Sequence, residues 1–225
     1  MDRVFELKRT VAERGTWRTL YDFRFVAEDD RTVHTGQLRN GYLAKDIAIH
    51  DAAGGQCGSF GPNRRIAPSA HLLKSADGAV IAKISHGMVQ STWGGSGSPV
   101  ETASGELIAV LTPGETVKET IAGKIDAWSA DLLVLLRDTE FLGHVGPRET
   151  PDMPRGIASN VTRLAVELPA ALAKSFQHEI LGRKVDWPET VAARIALTGT
   201  GCDLDTRLIL AIVLFKLHYH DLRRV

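Results

Sequence analysis

An uninterrupted run of apolar residues, Leu208 to Phe215, constrains the fold of this chain more than any other feature. Asp203 or Asp205 can cap a helix there, because an aspartate oxygen accepts hydrogen bonds from amides that lack an intrahelical partner. A helix that is apolar on every side is buried on every side or lies in lipid. A membrane span needs roughly 20 residues. We therefore expect a buried helix that emerges where Lys216, His218, His220 and Asp221 restore polarity.

The part of the chain ahead of this helix is typical of strands joined by turns. Turn-forming clusters precede short apolar segments at 29–31, 53–55, 76–78, 104–105 and 137–140. This pattern predicts a series of hairpins. A small residue recurs in the later strands at Ala82, Ala109 and Gly143, where we expect crowding by a neighbouring strand. A long antiparallel meander hides its edges most completely by closing into a barrel.

These features predict a mainly β fold: an antiparallel, barrel-like sheet around a buried hydrophobic C-terminal helix. A helix held between a sheet and other helices would also satisfy the apolar pattern. The length of 225 residues suits a single domain over 1–225. A further helix is predicted at residues 169–181, because the segment begins with a proline and is followed by a glycine. Residues 189–197 are compatible with either a helix or a strand.

The composition of the chain limits which partners and which cell compartment we expect for it. Lys+Arg and Asp+Glu are both 27, so the formal net charge is zero, and an anionic partner must be met by a local basic patch. We expect no nucleic-acid partner and no transmembrane span. The charged segment 1–10 is unlike a signal peptide. Two cysteines, Cys57 and Cys202, are too few for a disulfide scaffold and favour a reduced, cytoplasmic protein.

Two stretches of the sequence resemble the tubby C-terminal-like superfamily, which includes the plant LURP-one-related proteins and the phospholipid scramblases. Residues 61–68 followed by 71–84 are similar to the strand, Asp-Gly turn and strand of that family. Residues 202–215 with 218–221 are similar to its closing hydrophobic helix. The resemblance implies a helix threaded through a closed antiparallel barrel, but it does not extend over 113–202.

The resemblance further implies a non-enzymatic domain that binds a ligand or partner, with an anionic phospholipid headgroup as ligand at a membrane surface. Arg64 and Arg65 are the best candidate residues, because they follow a proline-containing turn and arginine grips phosphate through paired hydrogen bonds. The pairs at 8–9 and 223–224 are similar. Solvated surface charge is the alternative interpretation of each pair. A protein-interaction scaffold with no small ligand is an alternative function.

A second alternative is a serine hydrolase. Residues 94–100 resemble the nucleophile segment of trypsin-like serine proteases, with Ser96 as nucleophile and His71 and Asp77 as its partners. The spacing opposes this hypothesis, because His71 lies only 25 residues before Ser96 and those proteases place most of two barrels between the two groups. The other interpretation is a glycine-rich turn between strands at 88–92 and 107–111.

We expect no metal and no cofactor. His218, His220 and Asp221 lie close together in sequence, but helical residues two apart face different directions. No other cysteine and histidine cluster has metal-site spacing. The sequence has no glycine-rich phosphate-binding loop of either common type. Neither cysteine belongs to a Cys-x-x-Cys motif, so we expect Cys57 and Cys202 to act as small buried side chains.

Overall fold

The structure, a computed structural model, describes residues 3–14, 19–39, 46–64, 67–90, 96–114, 133–137, 140–146 and 189–217. The chain forms two compact units, one of Met1–Arg148 with Glu189–Val225 and one of Glu149–Pro188. All of the described residues belong to the first unit. The helix expected at 169–181 lies outside them, and the single-domain assignment of 1–225 stays a prediction.

The described residues form thirteen strands and one α-helix. The strands are β1 Arg3–Arg14, β2 Thr19–Ala27, β3 Thr32–Arg39, β4 Ile47–Asp51, β5 Gln56–Pro62, β6 Ala70–Ser75, β7 Val80–Ser85, β8 Val89–Gln90, β9 Ser96–Thr102, β10 Leu107–Pro113, β11 Leu133–Arg137, β12 Glu140–Gly146 and β13 Thr190–Leu197. A 3₁₀ turn, Gly199–Asp203, leads into the helix α1, Thr206–Phe215.

Antiparallel pairing closes the sheet into a barrel. Strands β1 to β7 pair in sequence order, β7 then pairs with β9, and β9 pairs with β10. Strands β10 to β13 continue the order, and β13 pairs with β1. Twelve strands complete the ring, while the short β8 pairs with the first residues of β9. The expected mainly β, barrel-like antiparallel fold is confirmed.

Four hairpin turns share one hydrogen-bonding scheme, and each includes a turn cluster predicted from the sequence. They span 27–31, 51–55, 75–79 and 102–106. The fourth residue of each turn has a positive φ, for example 88° at Gly78 and 61° at Asp30. Glycine adopts this conformation without steric cost, and aspartate tolerates it better than most residues. The turn residues therefore set where each hairpin reverses.

Gly143 confirms the expected crowding of a strand by its neighbour. A Cβ atom at this position would collide with the carbonyl oxygen of Ala196 on β13, and the φ of Gly143 is 149°. The equivalent small residues, Ala82 and Ala109, are at most 1% exposed. Small residues thus allow close strand contacts at places where a larger side chain would not fit.

The core is one hydrophobic cluster that combines strand residues with α1. Alternate residues of the strands are buried, such as Ala193, Ile195 and Leu197 on β13, as expected when one face of a sheet is apolar. Every residue of α1 from Leu208 to Phe215 is at most 4% exposed. Full burial of one large apolar side chain, such as leucine or phenylalanine, contributes about 1.5–3 kcal/mol to the stability of the fold. The helix contacts β13, β6 and β7.

Both ends of α1 are defined by polar groups. Asp205 is the N-cap, and its carboxylate accepts a hydrogen bond of 2.8 Å from the backbone amide of Arg207. Of the two aspartates considered, Asp205 therefore caps the helix. His218, His220 and Asp221, where the helix is also expected to emerge, lie outside the described residues, and Lys216 is only 3% exposed. Its backbone amide still donates to the carbonyls of Ile212 and Val213, so the helical bonding continues through this residue.

Two other local expectations change. The glycine-rich segment predicted as a turn contributes the strand β9 from Ser96 onward. Of the strand expected at 88–92, Val89–Gln90 forms β8, and 91–92 lie outside the described residues. Gly97 explains the first difference, because its missing side chain leaves room for the carbonyl oxygen of Leu111 on β10. The ambiguous segment 189–197 forms β13. None of the described helices has the length and apolarity needed to cross a bilayer.

Leu210 offers a direct test of the core. Leu210 is fully buried, and an unpaired charge there costs several kcal/mol against a total stability of about 5–15 kcal/mol. We expect Leu210→Asp to unfold the protein or to lower its melting temperature sharply. Met88→Asp is the matched control, because Met88 is 58% exposed. Equal melting temperatures for the two variants in circular dichroism would contradict the burial of α1.

Candidate functional site

The structure does not bring His71 and Asp77 together. His71 lies near the start of β6, and its Nδ1 is 2.8 Å from Nε2 of His86. Asp77 lies in the turn after the other end of β6. Its carboxylate accepts hydrogen bonds from the Ser75 hydroxyl and the Ala79 amide, and the Ser75 bond is the main reason that the pKa of Asp77 is lowered. Asp77 is thus hydrogen-bonded within its own turn and not to His71.

Ser96 is exposed at the start of β9, where it pairs with Gln90 of β8. Strand β7 lies between β6 and β9 in the sheet, so Ser96 and His71 occupy strands that are not neighbours. The residues after Ser96 continue as a paired strand, whereas a nucleophile loop would turn back to form an oxyanion site. The geometry gives the hydrolase hypothesis no assembled set of catalytic groups.

Arg64 lies on a loop whose base is fixed by Asn63. The Asn63 side chain donates to the Ser69 hydroxyl at 2.9 Å and accepts from the amides of Ser69 and Ala70 at 3.1 and 3.2 Å. Its backbone amide donates to the Ala70 carbonyl at 2.9 Å. Arg64 is exposed directly after this anchor. Arg65, its predicted companion, lies outside the described residues.

The other described basic pair differs from Arg64 in its contacts. Lys8 forms a salt bridge of 2.6 Å with Asp30, and Arg9 lies over the ring of Tyr21 at 4.8 Å. Arg64 has no hydrogen bond or ion pair with any residue that the structure describes. The predicted pair at 223–224 lies outside those residues, as do His218, His220 and Asp221. Among the described members of the predicted basic pairs, Arg64 is thus the one without a contact to a described charged or aromatic group.

Sequence reasoning missed a cluster of aromatic and histidine rings at the C-terminal end of α1. The His71 ring stacks on Phe60 at 5.4 Å and meets Phe215 edge-on at 5.7 Å. The backbone of His86 donates to the Ser69 carbonyl at 2.8 Å, which joins this cluster to the loop that carries Arg64. No sequence signal pointed to it, because His71 and His86 become neighbours only when β6 pairs with β7.

A second polar cluster lies at the N-terminal end of α1. His34 on β3 is 6% exposed, and its Nε2 is 2.8 Å from the Thr206 hydroxyl. Its Nδ1 is 3.7 Å from Sγ of Cys57. Burial lowers the pKa of His34 and raises the pKa of Cys57, so both groups are held neutral. A neutral thiol is a poor nucleophile and metal ligand.

Metal binding finds no further support among the described residues. They contain no group of three or more histidine, cysteine, aspartate or glutamate side chains that could hold an ion. Cys57 and Cys202 form no disulfide and are half-buried. Both pack against the core cluster, but neither is fully buried as expected.

Comparison with known proteins adds little to this geometry. No family model matches the chain, and no curated protein matches it. A crystal structure of a porin-like protein from Bacteroides uniformis aligns over 83% of this chain and 76% of that protein, with 13% identity and a TM-score of 0.24. A likeness at that score carries no argument about this chain.

We expect Ser96→Ala to leave stability and any measured activity nearly unchanged. Ser96 is exposed, and exposed substitutions usually change stability by less than about 0.5 kcal/mol. A fluorophosphonate probe should leave the wild-type protein unlabelled, while a known serine hydrolase in the same experiment is labelled. Labelling of wild type that disappears in Ser96→Ala would contradict this account.

The buried state of His34 predicts a pH dependence of stability. Its folded pKa lies below the ordinary value of about 6.5 that applies in the unfolded chain. As pH falls below about 6.5, His34 takes up a proton in the unfolded state before it does so in the folded state. The free energy of unfolding is therefore undiminished above that pH and declines below it until the pH passes the lower folded pKa. Between pH 8 and pH 5, wild type should therefore lose more stability than His34→Gln in urea unfolding. An identical loss in both proteins would contradict the assignment.

Proposed function

We propose that this chain is a non-enzymatic barrel domain that binds an anionic phospholipid headgroup at a membrane surface through the loop carrying Arg64 and Arg65. The observation that carries the proposal is the exposed Arg64 beside the anchored Asn63. The hydrogen bonds of Asn63 order the backbone next to Arg64 before binding, so less of the interaction energy is spent on ordering it. In a chain of zero net charge, such a local group has to supply the attraction.

The proposal includes a helix enclosed by the sheet, as the tubby-like resemblance implies. Its support is the burial of α1 from Leu208 to Phe215 in one cluster with strand residues. Further support comes from the contacts of α1 with β13 and with β6 and β7, which lie far apart in the ring. With α1 packed in this way, a ligand binds at the ends or the outer surface of the barrel.

An exposed apolar pair beside the loop favours a membrane surface as the partner. Met88 and Val89 are 58% and 38% exposed. They follow His86, whose backbone bonds to Ser69 at the base of the Arg64 loop. Basic and apolar groups on one surface suit the membrane–water interface. The basic groups attract anionic headgroups, and the apolar groups enter the region beneath the headgroups. The proposal places the protein at the cytoplasmic surface of a membrane.

The non-enzymatic part of the proposal is supported by the separation of the candidate catalytic groups. His71 is engaged with His86 and Asp77 with its own turn. The alternative that remains is a protein-interaction scaffold. The same basic and apolar surface would then contact a protein, and the two cases differ in whether lipid alone is bound.

We expect wild type to co-sediment with vesicles that contain anionic phospholipid at low salt. Each basic residue near an anionic surface contributes about 1 kcal/mol, so Arg64→Ala/Arg65→Ala should weaken binding by about 30-fold. The matched control is Lys8→Ala/Arg9→Ala, which removes the same charge from residues already paired within the protein. It should bind nearly as wild type does. Added salt should shrink the difference.

Two outcomes would contradict the proposal at different levels. Failure of wild type to bind anionic vesicles at low salt would exclude lipid as the ligand and favour the scaffold. Equal binding by wild type and Arg64→Ala/Arg65→Ala would retain lipid as the ligand but exclude this loop as the site.

A further inference from the structure

A cavity opens at the end of the barrel where α1 begins. It has a volume of about 350 Å³, which lies within the range of small-molecule sites. Its walls come from the start of β1, the β2–β3 turn and β3, and Thr206 of α1 also lines it. Val4, Ala27 and Val33 supply apolar surface there. Charged residues, among them Arg3 and Glu28, line the same cavity.

This cavity is separate from the loop that carries Arg64. Cys57 lies near the start of strand β5, and its carbonyl accepts a hydrogen bond from the side chain of Arg207 at the start of α1. The strand then runs along the helix. It ends at Pro62, which pairs with His71 beside Phe215 at the end of α1. The cavity and the Arg64 loop therefore lie at opposite ends of the helix, and each is accessible to a separate experiment.

The charged residues around the cavity fall into two groups. Arg31 and Asp29 pair with each other at 3.6 Å. Arg3 donates a hydrogen bond to the Cys202 carbonyl and lies over the Phe5 ring at 4.9 Å, which fixes its position. A guanidinium has five donors, and the others of Arg3 form no hydrogen bond with a residue that the structure describes. Glu28 is exposed. No salt bridge joins Arg3 or Glu28 to any residue that the structure describes.

The cavity therefore offers one cation and one anion that do not neutralise each other. A ligand that satisfies both must itself carry an anionic and a cationic group, and the apolar wall favours a hydrocarbon body between or beside them.

We propose that this cavity binds a small zwitterion of the apolar α-amino acid class, with its carboxylate on Arg3 and its ammonium group on Glu28. The arginine can bind the carboxylate through two parallel hydrogen bonds. The site is distinct from the proposed lipid site and does not depend on it.

Calorimetric titration with leucine, N-acetyl-leucine and leucinamide tests this assignment. N-acetyl-leucine lacks the cation and leucinamide lacks the carboxylate, so both should bind wild type at least about tenfold more weakly than leucine. Arg3→Gln should weaken leucine binding by about tenfold or more but leave leucinamide unchanged. Glu28→Gln should weaken leucine binding similarly but leave N-acetyl-leucine unchanged.

Matched controls separate this site from the Arg64 loop and from general charge effects. Arg64→Gln and Glu106→Gln change exposed residues outside the cavity and should bind leucine as wild type does. If Arg3→Gln fails to fold because Arg3 contacts Cys202, the exposed Glu28→Gln decides the assignment alone. Absence of leucine binding to wild type at millimolar concentration, or equal binding by Glu28→Gln, would overturn it.

Discussion

Burial of the apolar helix α1 is the constraint on which the rest of this structure depends. Residues Leu208 to Phe215 cannot face water without exposing a large apolar surface, and their burial requires apolar groups around them. Closure of the sheet through the β9–β10 and β13–β1 pairings provides inward-facing residues and at the same time removes exposed strand edges. The same packing leaves polar chemistry to the two ends of the helix.

The two ends of α1 differ in chemistry. At the N-terminal end, next to the N-cap Asp205, Thr206 bonds to His34 and lines a cavity together with Arg3 and Glu28. At the C-terminal end, rings of His71 and Phe215 pack beneath the loop that carries Arg64. The helix dipole favours anions at the first end and cations at the second, so an anionic ligand at Arg64 depends on side-chain charge alone.

Local chemistry made much of the fold predictable from the sequence. Hairpin turns such as the one at Gly78, the crowding at Gly143 and the apolar run of α1 each have a cause within a few residues. The sites were less predictable, because they depend on pairing between distant strands. His71 and His86 meet only through the β6–β7 register, and Arg3 reaches the cavity beside Thr206 only when the barrel closes. The glycine-rich segment around Ser96 was predicted as a turn, although from Ser96 onward it forms a strand, because glycine suits a crowded strand as well as a turn.

Hydrogen exchange of the α1 amides tests the central claim most directly. If α1 is enclosed by the closed sheet, the amides from Leu210 to Leu214 can exchange only when the barrel opens as a whole. Their exchange free energy should equal the global free energy of unfolding and should fall with urea at the same slope as that of Ile195 on β13. Faster exchange in α1 than in β13, with little dependence on urea, would show that the helix opens on its own and would contradict the account.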